Sequence, residues 1–460
     1  MSLSKSEQMF ERAGKVIPGG VHSNARYLKP YPLFFSKAKG NKVWDLDGNE
    51  YVDYFVNHGA IVLGHAYPQV DEAVRKQMES GLASGYESEL TVSTTEDLVR
   101  MIPHAEMARF AGSGSDAVMS AIHMARAYTR RKKILKTEGA WHGTYDYVCA
   151  SYRPSLDKAG PKKTPRTIPE SAGFVQGDII KNTLVAPFND SDAMEKIVKK
   201  NRKDLAAVII EPIIHNCGAI MPKEGYLQSV REITQDNDVL LIFDEVITGF
   251  RGAPGGAQEY YGVEADIATF AKAIANGYQI AAVVGKKDIL QVSGPDTKKG
   301  SIGGFGGVIF GGTFHAHHLA VAACKATMAE LRDGKVTKHL NHLTDKLRKS
   351  VEQISTELHS NIRVEGLGGE FTFFFSDHEV TNYREAISTD SGTGARFLKL
   401  QKYLQDRGIR FLPRHIYHHG FSYSHTENDM EELALAIRES LPHLGKQPAR
   451  EDLQEKHKPV

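Results

Sequence analysis

The sequence predicts an α/β fold, with a mostly parallel central sheet in a large domain and a smaller domain toward the C-terminus. Three observations predict it. From about residue 70, short runs that are apolar throughout alternate with helical patterns. Strands read this way when helices cover both faces of their sheet, because neither face meets water. After residue 316 the pattern turns helix-rich. Finally, 460 residues exceed what one compact core usually needs.

The N-terminal stretch predicts a helix over residues 4–16, broken by Pro18-Gly19-Gly20. KVWDLDGNEYVDYF predicts a hairpin whose turn is Asp47-Gly48-Asn49. Apolar runs at 108–112, 133–139, 206–212, 239–246, 267–272 and 281–285 predict the strands of the large sheet. Residues 153–171, rich in Pro and Lys, predict a long mobile loop, either a lid or a disordered excursion. Gly303–Gly312 predicts a second flexible, Gly-dense loop. Further on, 368–375 predicts a strand and about 427–441 a helix. The expected organisation is 1–65 as the N-terminal segment of the small domain, 66–315 as the large domain, 316–445 as the C-terminal small domain, and 446–460 as a flexible tail.

Net charge is +1, so no global field points to nucleic acid or an acidic membrane. None of the three cysteines sits in a C-x-x-C pair, which gives no zinc or redox motif. So sparse a count fits a reducing cytoplasm, the expected location. The N-terminus carries no long apolar run, so neither a signal peptide nor a membrane span is expected.

In an open α/β sheet, ligands bind beyond the carboxyl ends of the strands. The polar residues at those ends are Gly112-Ser113-Gly114-Ser115, Trp141-His142-Gly143, Glu211, Asp244-Glu245 and Lys272. A Gly-Ser turn opening a helix suits a phosphate, through free amides and hydroxyls; a merely Ser-capped helix has the same spelling. Asp244 ends an apolar strand, where a carboxylate needs a partner. A protonated pyridine nitrogen is one such partner, and backbone amides are another. Lys272 ends the next strand. In apolar surroundings its amine favours Schiff-base chemistry, unless it snorkels to solvent. Trp141 offers a flat face to a planar ring or to the core.

Taken together, LIFDEVITGFR (241–251) and DIATFAKAIANGY (266–278) resemble the class III pyridoxal-phosphate aminotransferases, in particular their glutamate-1-semialdehyde aminomutase-like group. The likeness runs from Pro18 to about Glu427. It implies a fold-type I transferase, α/β with an α+β small domain built from both chain ends, and pyridoxal 5′-phosphate as cofactor. It further implies that Lys272 holds the cofactor as a Schiff base and shuttles the substrate proton, while Asp244 pairs with the pyridine nitrogen. Val246 would pack under the ring and Trp141 on its other face, oriented by His142. Ser113, Gly114 and Ser115 would hold the phosphate, with Glu211 and Asn216 near the ring hydroxyl. Thr313 would reach the phosphate of a neighbouring subunit, so a homodimer with shared sites is expected.

On the substrate side the resemblance points to Ser23, Arg26, His58, Arg414 and His418. Arg26 and Arg414 are candidate carboxylate clamps; a surface loop arginine is the plain alternative for Arg26. Three departures from the family stand out. His418 aligns with an aminomutase-like Glu, His58 replaces a pocket aromatic, and His315, His317 and His318 stand where relatives carry Ser-Gly-Asn-Pro. These changes alter charge around the substrate and speak against strict aminomutase activity. The H-x-H-H spelling has no spaced partner motif, so capping or interface packing is expected rather than a metal. The expected activity is transfer of an amino group from an amino acid or amine to a carbonyl acceptor. The alternatives are a 2,1-aminomutase, a pyridoxal-phosphate racemase, or a silent binding protein on the same fold.

Overall fold

The computed structural model of the chain describes residues 4–81, 85–295 and 307–445. The expected tail at 446–460, and the 303–306 part of the Gly-dense loop, lie outside the described residues. The N-terminal helix runs over Ser4–Gly14. It is followed by an antiparallel meander of β1 (Phe35–Lys39), β2 (Lys42–Asp45) and β3 (Glu50–Asp53). Asp45 locks the predicted turn: its Oδ1 accepts the amides of Asp47 at 3.0 Å and Asn49 at 2.8 Å.

The large sheet contains β4 (Met107–Ala111), β5 (Lys133–Thr137), β6 (Thr183–Ala186), β7 (Leu205–Ile210), β8 (Leu240–Glu245), β9 (Ile267–Phe270) and β10 (Ala281–Gly285). Its order is β4-β10-β9-β8-β7-β5-β6. β10 runs antiparallel to both its neighbours, while β5 to β9 pair in parallel. Every strand but β10 therefore points the same way, which delivers the strand ends singled out above to one edge. β6 has no counterpart among the predicted runs. It is four residues long and opens on a threonine, which is too little apolar sequence to register. All six residues of β7 are buried, in keeping with a strand sandwiched between helices.

The C-terminal part adds β11 (Ile362–Leu367) and β12 (Glu370–Phe375) as a hairpin, then β13 (Ile409–Arg410) and β14 (His419–Gly420). β14 pairs with β12. β13 pairs in parallel with β3, Ile409 opposite Val52. The two ends of the chain thus share one sheet. The last helix, Glu427–Ser440, starts on a capping box between Thr426 and Asp429, which satisfies two free donors.

The segment 153–171 departs from its composition. It is irregular, but it is tied down. Arg384 grips the Glu138 carboxylate with two bonds of 2.8 Å and donates to the carbonyls of Gly160 at 2.8 Å and Ala159 at 3.3 Å. Tyr383 donates to the carbonyl of Pro154 at 2.9 Å, and Ser151 accepts the amide of Ile168 at 2.9 Å. The pin comes from more than 200 residues away, so local composition carries no trace of it. Arg384→Ala is expected to release the segment. Losing charge-assisted bonds worth about 1.5–3 kcal/mol each should speed trypsin cleavage at Lys158, Lys162 or Lys163 by roughly tenfold or more. Equal digestion rates for variant and parent would show that the pin lies elsewhere.

Candidate active site

The sheet edge gathers its groups in sequence order. β4 leads through Gly112 into the helix Gly114–Thr129, and Ser113 caps it by accepting the Asp116 amide at 3.3 Å. Helix geometry leaves the first-turn amides without partners inside the helix, aimed out of its end. Ser115 Oγ accepts the amide of Thr144 at 3.2 Å. A Cβ on Gly143 would lie 2.4 Å from that Oγ, so only glycine lets the two loops meet. A Cβ on Gly114 would reach Val246 at 3.2 Å. The phosphate-type turn and Val246 are therefore neighbours.

Asp244 is the last residue but one of β8 and is buried. Its Oδ2 accepts His142 Nδ1–H at 2.7 Å, and its Oδ1 accepts the Val246 amide at 3.1 Å and Thr269 Oγ1–H at 3.3 Å. His142 therefore serves Asp244 rather than orienting Trp141. A carboxylate can only accept, which fixes the proton on Nδ1. Trp141 is oriented by Glu211 instead, whose Oε1 accepts its amide at 2.7 Å, and by the ring of Tyr152 at 4.5 Å. Glu211 also accepts the His215 amide at 3.2 Å. Burial, then the charge of Asp244, push the Glu211 carboxyl up to about 8.

Lys272 follows β9 with φ at +50°. A lysine in the left-handed region costs about 1–3 kcal/mol and persists only where the surroundings impose it. Burial lowers its amine to about 8, against the opposing pull of Glu370, Glu211 and Asp244. Val56, Asn57 and His58 also run through positive φ, at 40°, 51° and 57°. This second strained turn carries His58 to the same place. His58 Nδ1 bonds the Tyr417 hydroxyl. Its imidazole is held down to about 3 by burial and then by the charges of Lys272, His418, Arg26 and Arg414. Those four groups and His58 thus form one neighbourhood. Arg414 donates to the Asn24 carbonyl at 2.9 Å, in the turn that begins after Ser23. Arg26 is exposed.

The expectation at His418 needs correction. Exchanging an expected Glu for His418 does not remove a carboxylate from this region, because Glu370 of β12 supplies one. His418 Nδ1 donates to Glu370 Oε2 at 2.5 Å, and Arg251 meets Glu370 Oε1 at 3.0 Å, all three buried. The sequence reading missed Glu370. Its signal was a lone carboxylate in the apolar run EFTFFF, which must be paired if buried.

The three histidines after Thr313 do separate jobs. His315 Nε2 bonds Asp116 at 2.7 Å and His318 Nε2 bonds Ser88 at 2.9 Å. His317 precedes the helix His318–Leu331 without a side-chain cap. Among the described residues no three His, Cys, Asp or Glu side chains form a metal-type group. Thr313 is exposed, flanked by Ile309 at 72% and Phe314 at 67% exposure. No helix among the described residues is long and apolar enough to cross a membrane.

Buried imidazoles set the acid response. Burial holds His58, His215, His415 and His425 at about 3, 3, 4 and 4. Their folded pKa lies below the unfolded value near 6.5, so the folded state binds fewer protons. The stability they contribute is whole above pH 6.5 and is lost as pH falls, by up to about 1.4 kcal/mol per unit and group. Glu211 and Glu245, raised by burial to about 8 and about 7, act in the opposite sense but are outnumbered. Denaturant midpoints of the cofactor-free protein should therefore drop between pH 7 and 5. A flat profile would contradict this.

A half-buried lysine, a locked carboxylate at the next strand end, and a Gly-Ser helix start define a pyridoxal-phosphate site on a fold-type I sheet. Asn216 Nδ2 is buried without a partner, a donor left over at the same edge. These residues offer an amine, a carboxylate, polar donors and a Gly-Ser turn that suit the aldehyde, ring nitrogen, hydroxyl and phosphate of such a cofactor, and pyridoxal 5′-phosphate is the cofactor. The chain belongs to the class-III aminotransferases, whose family profile matches residues 23–419. It is 40% identical over 413 residues to a glutamate-1-semialdehyde 2,1-aminomutase of Methanocaldococcus jannaschii, covering 90% of this chain and 92% of that one. Its fold is similar to an omega-transaminase of Sphaerobacter thermophilus, with TM-score 0.89, 32% identity and coverage of 95% and 97%. A transaminase with PLP bound superposes with TM-score 0.85, 29% identity and coverage of 96% and 98%.

Proposed function

We propose that the chain moves an amino group from a carboxylate-bearing amino donor to a carbonyl acceptor. One observation carries the reading: Lys272, strained and lowered to about 8, sits at the sheet edge with the carboxyls of Glu211, Asp244 and Glu370 around it. Bound pyridoxal phosphate supplies an electron-poor ring that stabilises negative charge on the substrate carbon. Asp244, held by His142 and Thr269, keeps a proton on the ring nitrogen. The amides of Gly114 and Ser115, with the hydroxyls of Ser113 and Ser115, take the phosphate. Val246 and Trp141 would cover the two ring faces, and Asn216 and Glu211 would face its hydroxyl. Lys272 Nζ is the amine that would take the substrate Cα proton and give it back. Ser23, Arg26, His58, Arg414 and His418 line the substrate side. Thr313 completes the phosphate site of a second subunit, so the working form is a homodimer.

The second reading is an intramolecular aminomutase. The 40% identical relative bears that name, and the Glu370 carboxylate against His418 removes the charge argument against it. Incubation with amino donor and no acceptor separates the readings. A transaminase releases one carbonyl product per site and loses the long-wavelength absorbance of its cofactor. An aminomutase turns over glutamate-1-semialdehyde catalytically without such release. A racemase inverts the donor and makes no carbonyl product. Absence of carbonyl release with every donor tried would sink the transaminase reading.

A further inference from the structure

Arg153 forms no direct ion pair among the described residues; the charge of Glu170 reaches it, but the Glu170 oxygens bond backbone amides instead. Arg153 lies in the pinned segment, next to Tyr152, whose ring packs on Trp141 at 4.5 Å. Its Nη2 donates to the Asn216 carbonyl at 3.0 Å, and its guanidinium lies over the Tyr152 ring, 5.3 Å from the centroid. Its Nε is buried without a partner. Among the described residues no carboxylate forms an ion pair with it, and its Nη1 makes no bond. The nearby Glu170 is engaged otherwise: it accepts the amides of Tyr152 at 3.1 Å and Arg153 at 3.0 Å. Holding a partly buried cation without an anion is costly.

The surroundings show where the missing anion belongs. Burial raises the phenols of Tyr152 and Tyr417, and the Arg153 charge opposes both rises. Tyr417 bonds His58, and His58 senses the charge of Lys272. Arg153 is thus bonded to Asn216 beside the Tyr152–Trp141 ring pair, and its charge reaches Tyr417, which bonds His58. The guanidinium is also preorganised. Glu170 fixes its backbone and Asn216 fixes one amino group, so little freedom remains to be lost on binding. By contrast, Arg414 is tied to Asn24 in an exposed turn.

We propose that Arg153 is a specificity-determining residue that binds the substrate carboxylate through its free amino edge. This deepens the amino-transfer reading and rests on it. The test is calorimetric titration of the cofactor-loaded protein with pentanoate and with pentan-1-ol, which needs no turnover. Arg153→Met should weaken pentanoate by roughly 10–100-fold and leave pentan-1-ol unchanged, as expected for losing a charge-assisted bond. Arg153→Lys should fall between, because it keeps the charge and loses the planar fork. Unchanged cofactor absorbance in both variants checks the fold. Four results overturn the proposal: no pentanoate binding by the parent, unchanged pentanoate binding in Arg153→Met, equal weakening of the alcohol, or loss in Arg414→Met alone. A failure of the amino-transfer reading looks different. There the parent releases no carbonyl product from any donor while the pentanoate titrations still respond to Arg153.

Discussion

Lys272→Ala is expected to lower kcat by roughly 10⁴-fold or more, since it removes both the covalent attachment and the proton carrier. The variant should still bind cofactor through the Gly-Ser turn and Asp244. Borohydride should then add mass to the parent at Lys272 and none to the variant. The lysine's setting adds a pH signature. Burial brings its amine to about 8 from the usual 10.5, while Glu370, Glu211 and Asp244 pull the other way. A larger share of the reactive neutral amine therefore exists near pH 8 than an exposed lysine would offer. Cofactor capture by the cofactor-free protein should rise with pH and level off above about 8. A rise that continues past pH 10 would mean that Lys272 sits in water. Residual activity within tenfold of the parent would remove it from the chemistry altogether.

The placement of Lys272 and Asp244 was legible because it depends on strand polarity. Each ends an apolar run, and parallel neighbours bring their carboxyl ends to one edge. That logic holds for β4, β5, β7, β8 and β9, and it carried Gly114, Trp141, Glu211, Asp244 and Lys272 to one place. It says nothing of groups that arrive from elsewhere. Tyr152 and Arg153 come from an irregular segment whose course is set by Arg384, Tyr383 and Glu170. Glu370 comes from the small hairpin of β11 and β12. The job of His142 was misread for a related reason. A histidine beside a tryptophan suggests a local partner, but the nearest unmet need was the buried carboxylate of Asp244, 102 residues on. Periodicity reveals which residues share an element; it does not reveal which polar groups pair across elements.

The Glu370–Arg251 pair is where a conservative change should hurt the fold most. Arg251 is 1% exposed and Glu370 is fully buried. Arg251 spends its donors on the carbonyls of Phe421 at 3.1 Å and Gly59 at 2.5 Å, and meets Glu370 at 3.0 Å. It thereby ties the strained His58 turn to the segment after β14. A Cβ on Gly59 or Gly420 would come within 2.7 or 2.8 Å of Glu370 Oε1, so the carboxylate is closely walled. Glu370→Gln keeps the shape and removes the charge. It leaves Arg251 buried with no anion and a single amide oxygen to serve both Arg251 and His418, and it should cost about 3–5 kcal/mol. Replacing both partners with apolar residues should cost less, because no charge is then stranded. The pH dependence follows from the same pair. Burial opposes ionisation, yet Arg251 and His418 hold the Glu370 carboxyl at about 2. Its folded pKa lies below the unfolded value near 4.5, so its contribution is whole above pH 4.5 and lost as pH falls toward 2. Denaturation curves at pH 7 for parent, Glu370→Gln and the double apolar variant check the ordering. A Glu370→Gln protein as stable as its parent would mean that the pair adds nothing to the fold.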